Sequence, residues 1–266
     1  MGCDHNCSSC GSKGSCGEIK ATLNPKSKVK KVVAVLSGKG GVGKSFVTSS
    51  LAVYLNREGK RVGILDADIT GPSIPKAFNL NGHAYGDGNI ILPVEAKTGI
   101  YVISSNLLLE NKEDPILWRG SLISNLVKQF YENVLWEDLD YLLIDMPPGT
   151  GDVALTVFQS LPIDDLIIVT APQDLVGLIV AKALNMANTM GIKVTGVIEN
   201  MSYLKCPNCD EKIPVFGESH LEEYAKKYNF DILARLPLNS ENTKKMDEGR
   251  IEEVIVDEIK DAVKCL

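Results

Sequence analysis

The sequence has no apolar run that could cross a membrane. Nowhere in its 266 residues is there a stretch approaching the roughly eighteen apolar residues of a spanning helix, and residues 1–28 lack the apolar centre of a secretory signal peptide. A domain-wide excess of Lys and Arg is also missing, because the formal net charge is −6, whereas nucleic-acid-binding domains are basic. We therefore expect a cytoplasmic protein that binds neither membranes nor nucleic acids.

The most informative motif is a glycine-rich stretch at residues 38–45. Its letters, GKGGVGKS, match the phosphate-binding pattern G-x-x-x-x-G-K-[ST], in which backbone N–H groups surround phosphate oxygens, the lysine adds charge and the serine binds Mg²⁺. A β-branched apolar run over 32–36 predicts a strand before it, and apolar residues at helical spacing over 45–56 predict a helix after it. A chance glycine-rich turn is the alternative, and the two flanks weigh against it. The candidate nucleotide ligands are Gly38, Lys39, Gly40, Gly41, Val42, Gly43, Lys44 and Ser45.

The remaining apolar runs predict strands that alternate with helices. Such alternation is typical of an α/β fold with a single doubly wound, mostly parallel sheet. Residues 69–98 contain many Gly and Pro residues and predict loops with a short hairpin. We divide the chain into two parts. Residues 1–28 are a flexible Cys-rich tail that is a candidate metal or iron–sulfur site, and residues 29–266 are a P-loop ATPase domain. Strands are predicted at 60–66, 101–103, 141–145, 166–170, 194–198 and 232–236, and helices at 122–134, at 176–190 and through 254–259.

Acidic residues at the ends of predicted strands offer the oxygen ligands that a nucleotide-bound magnesium ion needs. Asp145 follows the apolar run 141–144 and is placed to hold the ion through water. Asp66 and Asp68 end the second strand, and we expect only one of them to face the site unless the strand breaks there. Lys39, an additional lysine within the loop, is predicted either to project toward a nucleotide bound by a second subunit or to be a solvated surface residue.

Seven cysteines in a chain without a targeting signal indicate metal ligands or redox thiols more than disulfides, since cytosolic thiols are kept reduced. Cys206 and Cys209 form a C-x-x-C pair with two thiolates, whereas zinc or a four-iron cluster needs four ligands. A second copy of the pair across a two-fold axis would complete the set. A redox pair and half of a structural zinc site are the alternatives. We expect no ligand role for Cys265, His83 or His220.

Five segments carry more specific patterns: the loop at 38–45, DADITGPS at 66–73, IDMPPGTGD at 144–152, ENMS at 199–202 and CPNC at 206–209. Together they resemble the Mrp/ApbC family of P-loop ATPases that carry iron–sulfur clusters. That family belongs to the deviant Walker A class, with MinD, ParA and the nitrogenase iron protein, and the resemblance covers the chain from about residue 29 onward. It implies an ATP-binding, slowly hydrolysing homodimer that needs Mg²⁺, holds one [4Fe–4S] cluster between its subunits and transfers the cluster to apo-proteins.

The same resemblance implies roles for individual residues. Lys39 would be the signature lysine that acts across the dimer, Asp68 a switch I acid near the attacking water, and Asp145 the Walker B acid. Asn200 corresponds to the position that recognises adenine, which suits an amide because it offers both a donor and an acceptor. A MinD- or ParA-like positioning ATPase with cysteines that hold structural zinc is the alternative function.

The tail adds four cysteines, enough for a cluster or a zinc ion within one chain. Cys7, Cys10 and Cys16 match the last three positions of the N-terminal cluster motif in the eukaryotic cytosolic branch of the family. Cys3 departs from that motif, because a long gap precedes the C-x-x-C pair there, and His5 is the nearby alternative for the fourth ligand. Zinc or adventitious metal on the tail is the other interpretation.

Overall fold

The structure, a computed structural model, describes residues 20–69, 71–86, 90–109, 120–172 and 176–266. Cys3, Cys7, Cys10 and Cys16 lie outside the described residues, so their ligand role stays a prediction. The strands are β1 Lys28–Ser37, β2 Val62–Asp66, β3 Val94–Glu95, β4 Tyr101–Ile103, β5 Asp138–Asp145, β6 Asp165–Thr170, β7 Lys193–Lys205, β8 Lys212–Ile213 and β9 Ile232–Pro237. The helices are α1 Lys44–Arg57, α2 Ile74–Ala77, α3 Gly120–Glu132, α4 Asp152–Ser160, α5 Val176–Thr189, α6 Leu221–Tyr228, α7 Ser240–Asp247 and α8 Ile259–Lys264. None of the helices in the described segments is long and apolar enough to span a membrane.

A mostly parallel sheet forms the centre of the fold. Its parallel strands follow the order β4-β2-β5-β1-β6-β7-β9, while β3 pairs antiparallel with β4 and β8 pairs antiparallel with the end of β7. All residues of β2 and of β6 are buried, as expected for parallel strands covered on both faces. The predicted doubly wound α/β fold is confirmed.

Two hydrophobic cores lie on opposite faces of this sheet. Val33 and Val35 of β1 pack in the core that includes α1, α2 and α8, whereas Val32, Ala34 and Leu36 pack in the core with α3, α4 and α5. This division follows from the period-2 alternation of side chains along a strand. Because both faces are covered by helices, the exposed carboxyl edge of the parallel strands is the place where ligands bind in such sheets.

The structure corrects three predicted elements. The helix predicted through 254–259 is wrong at its start, because Ile251–Glu253 is a 3₁₀ turn and α8 begins only at Ile259. The region 69–98 contains the short helix α2, which the breaker residues concealed, since a proline in the first turn of a helix needs no N–H partner. Strand β7 extends to Lys205, well beyond the predicted 194–198, because its last residues leave the parallel sheet and pair with β8.

Candidate functional site

The glycine-rich loop lies between the end of β1 and the first residue of α1. Gly41 and Gly43 both have φ of 80°, a left-handed conformation that favours glycine. A Cβ on Gly43 would lie 2.2 Å from Nδ2 of Asn200, and one on Gly38 would lie 1.7 Å from Cγ2 of Ile179. A Cβ on Gly41, in contrast, would meet no atom within 4 Å. The loop therefore packs tightly against β7 and α5 and is open at Gly41.

Lys44 begins α1, and its side chain is only 6% exposed. Its Nζ lies 2.9 Å from Oδ1 of Asp145 and 3.6 Å from Oδ2 of Asp68. A buried ammonium group requires such partners, because an isolated charge is strongly disfavoured away from water. The structure thus brings together three residues that the sequence predicted for one site.

Asp145 ends β5 and accepts hydrogen bonds from the first turns of α1. Oγ of Ser45 donates to Oδ2 of Asp145 at 2.5 Å, and Oγ1 of Thr48 donates to Oδ1 at 2.8 Å. Hydroxyl and carboxylate oxygens are ligands that Mg²⁺ prefers, so this donor set fits the magnesium ion expected from the motif. Thr48 was missed in the sequence because it lies beyond the glycine-rich pattern, although its position four residues after Lys44 places both on one side of α1.

Asp66 and Asp68 take different positions at the end of β2. Asp66 lies opposite Asp145 in the β2–β5 pairing, and its buried carboxylate accepts hydrogen bonds from Oγ of Ser104 at 3.0 Å and from the N–H of Asp68 at 3.2 Å. Burial, followed by the nearby charge of Asp145, raises the pKa of Asp66 well above its ordinary value. Burial also raises the pKa of Asp68, against the opposing effect of Lys44. Asp68 therefore contacts the phosphate-loop lysine, and Asp66 supports the turn that presents it.

Lys39 is half-buried within the loop. Its backbone oxygen accepts a hydrogen bond from Oγ of Ser37 at 2.9 Å, which anchors the start of the loop to β1. Its side chain forms no ion pair with any residue that the structure describes. The action of Lys39 across a dimer stays a prediction.

Asn200 of β7 joins the loop to a neighbouring pocket. Its Nδ2 donates to the backbone oxygen of Val42 at 2.9 Å, and it lines a pocket of about 170 Å³ beside Gly43. The pocket walls are mostly apolar and include side chains from the end of β9 and from α7 that no sequence motif indicated. Besides Gly43 and Asn200, the walls comprise Phe46, Met201, Pro237, Leu238, Asn239, Asn242, Thr243 and Met246.

Cys206 and Cys209 lie at the tip of the hairpin formed by β7 and β8. The N–H of Cys206 donates to the oxygen of Glu211 at 2.9 Å, and the N–H of Asp210 donates to the oxygen of Cys206 at 3.0 Å. Cys206 is half-buried and Cys209 is exposed. The N–H groups of Asn208 and Cys209 lower the pKa of the Cys206 thiol, and this favours the thiolate that binds metals.

The cysteine pair has no third metal-binding side chain beside it in the part of the chain that the structure describes, since no group of three or more His, Cys, Asp or Glu suited to a metal occurs there. Cys265 lies on the far end of α8, where its Sγ donates to the oxygen of Asp261 at 3.4 Å. His83 and His220 are exposed. One chain therefore offers two thiolates at the hairpin tip.

Comparison with known proteins shows the family to which the chain is similar. The family described as ParA: NUBPL iron-transfer P-loop NTPase matches residues 28–264. The chain is 43% identical over 261 residues to the iron-sulfur cluster carrier protein of Clostridium perfringens, covering 94% of this chain and 92% of that protein. It is also 43% identical over 257 residues to the iron-sulfur cluster carrier protein of Methanocaldococcus jannaschii, covering 93% of this chain and 89% of that one.

Solved structures share the fold. The nucleotide-binding protein of Archaeoglobus fulgidus in complex with ADP is similar with a TM-score of 0.76 and 44% identity, over 85% of this chain and 88% of that chain. The MinD cell division protein of Aquifex aeolicus is similar with a TM-score of 0.62 over 88% of this chain and 95% of that chain. At 19% identity, the second likeness concerns the fold alone.

Proposed function

The chain belongs to the ParA family of NUBPL iron-transfer P-loop NTPases, and from that premise we propose that it is an ATP-hydrolysing carrier of iron–sulfur clusters. The observation that carries the proposal is the position of the Cys206–Cys209 pair, with Cys209 exposed, at the tip of a hairpin that directly follows the strand whose Asn200 contacts the phosphate-binding loop. The relatives named iron-sulfur cluster carrier protein support this assignment. ATP hydrolysis, the [4Fe–4S] cargo and its transfer to apo-proteins are parts of the proposal.

In the nucleotide site, the phosphate groups of ATP lie along the loop at 38–45. Lys44 exchanges its carboxylate partners for phosphate oxygens, because the phosphate groups of ATP carry more negative charge than a carboxylate. Ser45 and, through water, Asp145 would hold the magnesium ion, which neutralises phosphate charge when bound. Asp68 orients the attacking water, and the raised pKa of Asp68 makes its carboxylate a better proton acceptor. Water then cleaves the terminal phosphate to give ADP and inorganic phosphate.

The adenine base fits the apolar pocket beside Asn200. Its ring can pack on the side chains of Phe46 and Met246, which line the pocket, while the Asn200 amide supplies polar contacts to the base edge. Lys39, half-buried and without an ion-pair partner among the described residues, reaches the phosphates of a second copy. Lys44 then contacts the nucleotide of its own chain, and Lys39 contacts the nucleotide of the partner chain.

The cargo site is completed by a second copy of the chain. Each copy contributes Cys206 and Cys209, so a two-fold axis between two hairpin tips provides the four thiolates of a [4Fe–4S] cluster. The lowered pKa of Cys206 prepares one thiolate for iron. A cluster held at an exposed tip by two chains can leave when the chains separate, as a carrier requires.

The test is anaerobic reconstitution of the full chain with iron and sulfide. Cys206→Ala/Cys209→Ala should lose about two irons per chain, half of a shared four-iron cluster, and should lose the dimer that the cluster holds. Cys265→Ala is the matched control, because Cys265 is an exposed cysteine at the C-terminal end of α8 and outside the hairpin, and it should keep the wild-type iron content. Iron, sulfide, zinc, visible absorbance and oligomeric mass are measured for all three proteins.

Two outcomes contradict the carrier proposal: a double variant that keeps all its iron, and a wild-type protein that takes up only zinc. Zinc binding would favour the positioning ATPase, for which the likeness to MinD supports the fold alone. That alternative also predicts co-sedimentation with liposomes or DNA in the presence of ATP. With a net charge of −6, we expect neither.

A further inference from the structure

A buried carboxylate closes the segment that carries the cysteines. Glu199 of β7 is 1% exposed, and each of its oxygens accepts one serine hydroxyl: Oε2 accepts from Oγ of Ser202 and Oε1 from Oγ of Ser219, both at 2.5 Å. Nε of Arg235 on the adjacent strand β9 lies 3.5 Å from Oε2. The segment 203–218, here termed the cysteine hairpin, leaves the fold at one serine and returns at the other, so one carboxylate fastens both of its ends.

The bond to Ser202 depends on a kink in the strand. Side chains three residues apart in a regular strand point to opposite faces, so Ser202 would point away from Glu199. Met201, between them, has φ of 55°, a left-handed conformation that residues other than glycine rarely adopt. The pairing of β7 with β9 is also irregular between Glu199 and Tyr203. The kink at Met201 turns the Ser202 hydroxyl back toward the carboxylate.

Two residues at the kink line the candidate nucleotide pocket. Asn200 and Met201 both face this pocket, and Asn200 also donates to Val42 of the phosphate-binding loop. They stand in the chain between Glu199 and Ser202. A ligand that shifts the backbone at Asn200 or Met201 therefore also shifts the segment that the Glu199–Ser202 bond spans.

We propose that Glu199 is a positioning residue that couples occupancy of the nucleotide pocket to the orientation of the cysteine hairpin. The inference rests on the proposed function in taking 206–209 as the cargo ligands. A ligand at Asn200 alters the kink at Met201, and the carboxylate passes the change to both ends of the hairpin through its two serines. Two acceptor oxygens are needed for this, since both serines donate.

The experiment measures how nucleotide changes the reactivity of the hairpin cysteines. The reduced, metal-free full chain is pulsed with iodoacetamide, with and without Mg²⁺ and a non-hydrolysable ATP analogue, and alkylation of the 206–209 peptide is quantified by mass spectrometry. We expect the analogue to change the alkylation rate in the wild-type protein. In Glu199→Gln, which retains only one acceptor oxygen, the ratio of the two rates should approach unity while analogue binding persists.

Two further variants separate coupling from folding. Ser219→Ala removes one hydroxyl from the carboxylate and should reduce the response, and it serves alone if Glu199→Gln fails to fold. Tyr203→Phe is the matched control, because it removes a single hydrogen bond of the same strand to another glutamate, Glu258, at 2.7 Å. It should keep the wild-type ratio.

The proposal is overturned if nucleotide leaves wild-type alkylation unchanged, if the folded Glu199 and Ser219 variants respond like wild type, or if Tyr203→Phe loses the response as well. A purely structural role would lower thermal stability without removing the response. If iron reconstitution fails but nucleotide still changes the alkylation rate, the proposed iron–sulfur cargo is wrong and the proposed coupling stands. If reconstitution succeeds but nucleotide does not change the alkylation rate, only the proposed coupling is wrong.

Discussion

The hydroxyl of Ser45 donates to Oδ2 of Asp145 across 2.5 Å, although 100 residues separate the two in the chain. Parallel pairing of β1 with β5 makes this contact, because Val35 lies opposite Asp145 just before the phosphate-binding loop. Lys44 and Thr48 complete the set of donors around the same carboxylate. The acid and the hydroxyl expected to bind magnesium are thus adjacent.

Thr48 tests the value of this network. In Thr48→Val the hydrogen bond to Asp145 is lost without a change in shape, and a bond to a buried charged group contributes about 1.5–3 kcal/mol. Thr156→Val is the matched control, since Oγ1 of Thr156 bonds only the backbone oxygen of Asp152 at 2.7 Å, as Thr48 bonds that of Lys44 at 3.0 Å. Urea unfolding should show a loss for Thr48→Val and less than about 0.5 kcal/mol for the control, whose hydroxyl bond lies at the surface. Equal losses would mean that the carboxylate bond contributes nothing.

Gly43 should not tolerate alanine. Its left-handed φ of 80° costs a non-glycine residue about 1–2 kcal/mol, and the new Cβ would break the bond of Asn200 to Val42. Gly59→Ala has a similar φ of 78° but meets no atom within 4 Å, so it isolates the backbone strain. We expect both variants to lose stability in thermal denaturation and only Gly43→Ala to lose nucleotide binding. Normal nucleotide binding by Gly43→Ala would contradict the assigned contact.

Substitution of the two loop lysines should have different effects, one on nucleotide binding and the other on hydrolysis. Lys44→Ala should abolish nucleotide binding, because it removes the phosphate-facing charge and leaves Asp145 and Asp68 unpaired. Lys39→Ala should bind nucleotide as the wild type does but hydrolyse it about a thousandfold more slowly, if Lys39 acts in trans as finger residues do. Equilibrium binding of a fluorescent nucleotide and phosphate release at several protein concentrations measure the two effects. Unchanged hydrolysis in Lys39→Ala would refute its action across the dimer.

Asp66 should make stability fall as pH rises. Because burial raises the pKa of Asp66, the folded chain retains a proton that the unfolded chain releases above the ordinary carboxyl pKa, so raising the pH through the interval between the two values lowers the free energy of unfolding. Asp66→Asn removes this ionisation. We expect it to be more stable than the wild type near neutral pH, with a gain that shrinks as the pH falls to about 4.

Asp140→Asn is the control of opposite sign. The hydrogen bond from Lys30 holds the pKa of Asp140 below its ordinary value, so its stabilisation is present at neutral pH and lost on acidification. Asp140→Asn should therefore be less stable than the wild type at neutral pH and converge with it in acid. Thermal melting from pH 4 to 8 compares both variants. A loss of stability for Asp66→Asn at neutral pH would show that its carboxylate is ionised and stabilising.

Local pattern was sufficient for the central strands and the loop between them. The buried runs in β1, β5 and β6 are continuous and apolar, so their strand assignment needed no tertiary information. Local pattern was insufficient for α7 and β8, whose short polar sequences follow no clear period. For that reason the walls of the pocket beside Asn200 and the paired base of the cysteine hairpin were not predicted.

By itself, the sequence determined the phosphate-binding loop, the parallel sheet and the Cys206–Cys209 pair, because glycine spacing, buried runs and cysteine spacing act over a few neighbouring residues. Only the tertiary structure decided that Asp145 meets Ser45 and that Glu199 binds Ser219. It also decided that Asn200 rests on the loop. These contacts join distant parts of the chain, and they form only where strand register and helix packing bring the parts together. Strand β7 shows both effects, since its apolar run could be read from neighbouring residues whereas its kink at Met201 could not.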